Sequence, residues 1–145
     1  MEQVSVRYIV DDVDAAMEFS VRQLGFAVVM HPAPAFAMLT RGALGLLLSA
    51  PAGPDAAGGG AGGVGGGQAM PDGTLPAPGG WNRFSLQVDD LGAAVEALRA
   101  AGVPFRSDSM PGIGVNQVLI EDPSGNPVEL FEPILPEAAQ RTVPG

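Results

Sequence analysis

Val10-Asp11-Asp12-Val13-Asp14-Ala15-Ala16-Met17-Glu18 recurs 78 residues later as Val88-Asp89-Asp90-Leu91-Gly92-Ala93-Ala94-Val95-Glu96, with six of the nine positions identical. A match of this quality at one offset marks an internal duplication, in which each copy is a single supersecondary unit. Ahead of the first copy Val6, Tyr8 and Val10 alternate with Ser5, Arg7 and Ile9. Ahead of the second, Phe84, Leu86 and Val88 alternate with Arg83, Ser85 and Gln87. A period of two is that of a strand.

Asp12 and Asp90 stand where helix N-caps belong. Val13, Ala16, Met17, Val21 and Leu24 in one copy, and Leu91, Ala94, Val95 and Leu98 in the other, recur at helical spacing. Gly25 and Gly102 are placed to end the helices. Three strands are predicted after each helix: Ala27 to Met30, Phe36 to Thr40 and Leu44 to Ser49, then Phe105 to Ser107, Val115 to Ile120 and Pro127 to Phe131. Asp122-Pro123-Ser124-Gly125-Asn126 reads as the turn before the last strand. The expected fold is α+β: two βαβββ modules forming a cup-shaped mixed sheet.

Between the copies, residues 51–80 hold 17 of the chain's 35 Gly and Pro residues, so this stretch is expected to be a flexible linker or flap. The organisation is then a first module over 1–50, the Gly/Pro-rich segment over 51–80, a second module over 81–135 and a tail over 136–145. Gly58-Gly59-Gly60-Ala61-Gly62-Gly63 matches the dinucleotide pattern G-x-G-x-x-G by letter only, since no strand leads into it and no amphipathic helix follows.

Composition removes several function classes. The formal charge of −9 opposes binding to phosphate backbones and anionic membranes, so neither nucleic acid nor a membrane is an expected partner. All seven basic residues are Arg, which excludes Schiff-base chemistry, and the absence of Cys excludes thiolate nucleophiles and disulfides. The longest apolar stretch, Ala43 to Ala50, is far below the roughly 20 residues of a membrane span. With no apolar leader after Met1-Glu2-Gln3, a cytoplasmic protein is expected.

If Val6, Tyr8, Val10, Phe84, Leu86 and Val88 face the helices, then Ser5, Arg7, Arg83, Ser85 and Gln87 face the other way. That polar face is either open surface or, where paired units enclose a concavity, a ligand site. Phe36 and Met38 alternate with Ala35, Ala37 and Leu39, so one set lines the cup and the other belongs to the core. Arg7 is a contact for an anionic ligand or a solvated strand-end residue. Trp81, after Gly79-Gly80, is a lid for a planar ligand or a core anchor. His31 is a surface histidine or a base at the pocket rim. Asp11-Asp12 and Asp89-Asp90 are read as helix-capping acids rather than catalytic pairs.

The two strand-to-helix segments, Leu24-Gly25-Phe26, and Glu121-Asp122-Pro123-Ser124-Gly125-Asn126-Pro127-Val128-Glu129-Leu130-Phe131-Glu132-Pro133 resemble the vicinal oxygen chelate superfamily of glyoxalase I, extradiol dioxygenases and bleomycin-resistance proteins. The resemblance covers nearly the whole chain outside the Gly-rich segment. It implies a metal-ligand position on the first and last strand of each half. Those positions hold Ser5, then Leu46-Leu47-Leu48, then Arg83, and finally Glu129, the one residue that fits; Gln3 could enter only by a register slip. One carboxylate facing an arginine does not hold a catalytic divalent ion, so no metal and no cofactor are expected.

Arg83 and Glu129 are instead expected to form a buried ion pair, or Arg83 to bind ligand, or both. The ligand-binding set is then Ser5, Arg7, Phe36, Met38, Trp81, Arg83, Ser85, Gln87 and Glu129. The expected function is metal-independent binding or sequestration of an aromatic or natural-product ligand. The alternatives are a lyase, isomerase or dioxygenase-like enzyme with Glu129 as acid or base, and an interaction module with no ligand. The resemblance also implies a homodimer.

Overall fold

The computed structural model describes residues 4–51 and 66–136, and its contacts divide the chain into two compact units. The N-terminal unit runs to Gly79 and takes in Pro123–Asn126. The C-terminal unit comprises Gly80–Asp122 and, among the described residues, 127–136.

In the N-terminal unit β1 (Val4–Ile9) leads to α1 (Val13–Leu24), then β2 (Ala27–Ala33), β3 (Phe36–Arg41) and β4 (Leu44–Ser49). The sheet order is β1-β4-β3-β2, with β1 parallel to β4 and the other pairs antiparallel. In the C-terminal unit β5 (Ser85–Gln87) leads to α2 (Leu91–Ala100), then β6 (Met110–Pro111), β7 (Val115–Glu121) and β8 (Pro127–Pro133). Its order, β5-β8-β7-β6 with β5 parallel to β8, repeats the first. The duplicated segment thus encodes a duplicated α+β module.

Local chemistry explains why the helices start where they do. Asp12 Oδ1 accepts from the Ala15 N–H at 3.1 Å and Asp90 Oδ1 from the Ala93 N–H at 3.0 Å, each satisfying a donor that the first helical turn leaves without a partner. Gly25 caps α1 with φ at +74°, a conformation that disfavours any residue bearing a Cβ. In α2 the cap is Ala101 and the left-handed residue is Gly102, one position later.

Alternation sorts each sheet into two faces. Tyr8, Ala37, Leu39, Leu46 and Leu48 are buried on the face that packs on α1, and full burial of a leucine such as Leu39 or Leu46 contributes on the order of 2 kcal/mol. Leu86, Val118, Ile120, Val128 and Leu130 form the corresponding core in the C-terminal unit.

Three strand expectations are corrected. Phe105 to Ser107 is no strand: Phe105 makes a single bridge to Ile120, and the Arg106 and Ser107 N–H groups converge on one acceptor, Leu119 O, at 2.9 and 3.4 Å. Two donors on one carbonyl break the ladder, and the edge strand forms at Met110–Pro111 instead. β5 spans only Ser85–Gln87, although Glu129 N to Phe84 O and Val88 N to Phe131 O extend the pairing at both ends. β2 continues through His31-Pro32 to Ala33, because an edge strand tolerates the missing N–H of proline.

Of the Gly/Pro-rich segment, residues 52–65, with Gly58 to Gly63, lie outside the described residues, as does Gln3. The part from Gly66 onward makes specific contacts. A Cβ on Gly66 would overlap the Arg7 guanidinium, and one on Gly67 would overlap Ala50 O. Gly79 N donates to Asn126 Oδ1 at 2.6 Å.

Candidate functional site

Strand register fixes which side chains share the face away from the helix. In the N-terminal sheet Arg7, Leu47 and Met38 form one cross-strand row. Ile9, Ser49 and Phe36 form the next, and Ser5, Gly45 and Thr40 a third. Phe36 and Met38 therefore belong to this face, while Ala37 and Leu39 are core. Arg7 Nη1 donates to Ser49 Oγ at 3.2 Å, and its guanidinium lies against Gly66.

In the C-terminal sheet Ser85, Glu129 and Leu119 form one row on the equivalent face, and Gln87, Phe131 and Gln117 the next. Arg83 precedes β5 and reaches Glu129 Oε1 with both Nε, at 3.1 Å, and Nη2, at 3.0 Å. Ser85 Oγ donates to the other oxygen, Oε2, at 2.6 Å. Both carboxylate oxygens thus accept from donors on β5 or just ahead of it, a short and charge-assisted arrangement. The pair expected to be buried is only partly so, with the Arg83 side chain 30% exposed and that of Glu129 17%.

Trp81 is 69% exposed, so it is no core anchor. Its carbonyl accepts from Arg83 Nη1 at 3.2 Å, and its ring lies under the Arg106 guanidinium, 4.7 Å from carbon to ring centroid. Arg106 is fixed in turn by Glu121 Oε2, at 2.8 Å, and by Gly80 O, at 2.6 Å. Glu121 lies two residues from Leu119 on β7 and so shares the Glu129 face.

Sequence reasoning brought out Arg83, Ser85, Glu129 and Trp81, which the structure gathers, but missed Arg106 and Glu121. The available signal was Phe105-Arg106, where alternation beside an apolar residue turns the arginine outward. His31, on β2, sits 3.7 Å from Asp14 Oδ1 in the first turn of α1, too long for a hydrogen bond.

The fold family's divalent ion can be tested against these residues. Such an ion takes three or more protein donors. The face of the C-terminal sheet carries two carboxylates, each already engaged by an arginine, Glu129 by Arg83 and Glu121 by Arg106, and in the N-terminal sheet Leu47 stands at the place of Glu129. No group of three His, Cys, Asp or Glu is assembled for a metal among the described residues. The residues do not fit the ion.

Two βαβββ units, each with its first strand parallel to its last, define the class of paired-module proteins to which the site belongs. The family model described as the Glyoxalase/Bleomycin resistance protein/Dioxygenase superfamily matches residues 3–130, and the chain belongs to that superfamily. A search of curated proteins gives no significant match.

Solved structures share the fold. A superfamily member from Sphaerobacter thermophilus is 25% identical, with 91% of this chain and 97% of that chain covered and a TM-score of 0.65. The lactoylglutathione lyase of Agrobacterium tumefaciens is 23% identical over 90% and 92% of the two chains, with a TM-score of 0.64. TnmS3, an antibiotic binding protein from a Streptomyces species, is 21% identical over 92% and 96%, with a TM-score of 0.63. Among the described residues no helix is long and apolar enough to cross a membrane.

Proposed function

We propose that the protein binds a small aromatic or natural-product ligand without a metal, through Ser5, Arg7, Phe36 and Met38 of the N-terminal unit and Arg83, Ser85, Gln87 and Glu129 of the C-terminal unit, with Trp81 beside Arg83. One observation carries the reading: Arg83 and Ser85 engage both oxygens of Glu129, the only acid in its row, so this carboxylate is tied down as structure. A general base needs a lone pair directed at substrate, and here three donor contacts from Arg83 and Ser85 already draw on the carboxylate. The fold shared with an antibiotic binding protein is consistent with this reading, and the fold shared with a lyase does not separate the two functions. Pairing of two copies and a cytoplasmic location belong to the same proposal, and sedimentation of the purified protein tests the first.

The test is calorimetric titration with a panel of aromatic and peptide natural products, followed by mass analysis of the recovered ligand. Micromolar or tighter binding with the ligand unchanged supports the reading. Chemical conversion that is lost in Glu129→Gln replaces it with the enzymatic alternative, and a panel that fails to bind overturns it.

A further inference from the structure

Trp81 is the chain's single tryptophan, and it combines high exposure with unusual restraint. One face is covered by the Arg106 guanidinium, while Glu121 and Gly80 O hold Arg106. The backbone of Trp81 is held by Arg83, which is itself anchored on Glu129. A surface indole would ordinarily lose rotamer freedom when it binds a partner. Here contacts within the chain already restrain the ring and its backbone, which is how preorganised sites gain affinity.

From this geometry we infer that Trp81 is a stacking platform for a planar, electron-rich aromatic ring. The inference rests on the small-molecule reading above and names the chemistry of the ligand. A π-face attracts cations, and one face of this ring already carries the Arg106 cation. A second cation on the opposite face would meet a π-system drawn toward Arg106 and would also be repelled by Arg106 itself. An electron-rich ring, such as a phenol or polyhydroxylated arene, meets neither penalty and stacks on a polarised indole. Cationic heteroaromatics are thereby disfavoured, although an isolated surface tryptophan would favour them.

The test uses the intact protein and three ring probes: naphthol, which is planar and electron-rich; N-methylquinolinium, which is planar and cationic; and decalol, which keeps the hydroxyl but is not flat. Equilibrium dialysis measures affinity, and the single indole N–H resonance reports whether Trp81 is the contact. Naphthol is expected to move that resonance and to bind about threefold or more tighter than either other probe, the range of cation–π effects at exposed sites. Trp81→Leu should remove this advantage, and Arg106→Gln should bring naphthol and quinolinium toward equal affinity.

Equal binding of naphthol and quinolinium to the unmodified protein overturns the inference, as does naphthol binding that survives Trp81→Leu unchanged. The comparison on unmodified protein involves no substitution, so a misfolded variant leaves it decisive. If the natural products bind the unmodified and Trp81→Leu proteins alike, the platform falls and the binding reading stands. If they bind neither while naphthol still moves the indole resonance with the expected selectivity, the platform stands and the wider reading falls.

Discussion

Leu47 and Glu129 hold equivalent places in the two halves: Leu47 is the parallel-strand partner of Arg7, and Glu129 is that of Ser85, which lies 78 residues after Arg7. The two halves therefore share the backbone position and differ in its chemistry, aliphatic in one and carboxylate in the other. A divalent ion finds no acidic donor at Leu47, and an arginine engages the acid at Glu129.

The first prediction follows. EDTA-treated protein melted with and without nickel, manganese, zinc, cobalt or iron(II) should show a change in Tm below about 1 °C, since an ion that does not bind the folded chain cannot stabilise it. Stoichiometric metal in the purified protein with a rise of several degrees would show that another donor set exists.

Glu129→Gln should destabilise the protein by about 1 kcal/mol, as Arg83 and Ser85 lose their charged acceptor in a partly exposed setting where ion pairs are modest. A double-mutant cycle with Arg83→Met is expected to give a coupling energy of about 0.5–1 kcal/mol in urea unfolding. Additive effects would mean that the pair is incidental.

These energies bear on what could be read from the chain. The strands and helices of both halves were legible because their determinants are local: alternation over five or six residues, and an Asp whose side chain reaches three residues ahead. The break at Phe105 to Ser107 was not, since it depends on both N–H groups choosing Leu119 O, twelve or more residues away. Arg83 and Glu129 could be paired through the resemblance, which put them at corresponding ligand positions. Arg106 had no such guide, and its partners Gly80 and Glu121 lie 26 and 15 residues distant.

Asp72 offers a pH prediction. Its carboxylate accepts the Thr74 N–H at 3.0 Å, and that hydrogen bond, with a further one from the Thr74 side chain, holds its pKa below the ordinary carboxylate value. A carboxyl whose folded pKa is depressed stabilises the fold above its unfolded pKa of about 3.9, and the contribution disappears as pH falls through the lower folded value. The Tm gap between the unmodified protein and Asp72→Ala should therefore be constant above about pH 5 and should close in more acidic solution. A gap that widens on acidification would contradict the assigned hydrogen bonds.

Asn126 carries the last prediction. Its Nδ2 donates to Ile9 O at 2.7 Å and its Oδ1 accepts from Gly79 N at 2.6 Å, with the residue 5% exposed. One amide thus satisfies the end of β1 and the end of the Gly/Pro-rich segment, a task that needs a donor and an acceptor on the same side chain. Asn126→Ala should cost about 1–2 kcal/mol, because the half-buried Ile9 carbonyl loses its donor while the exposed Gly79 N–H can turn to water. Asn126→Asp keeps the acceptor for Gly79 but sets a carboxylate oxygen against Ile9 O, which favours the protonated form and raises the folded pKa of the introduced carboxyl above about 3.9. For such a group the stabilising interaction is present below the unfolded pKa and is lost as pH rises through the folded one. The Asn126→Asp deficit should consequently be small near pH 4 and grow toward pH 7 in urea unfolding. A deficit independent of pH would show that Ile9 O does not need the proton that Asn126 supplies.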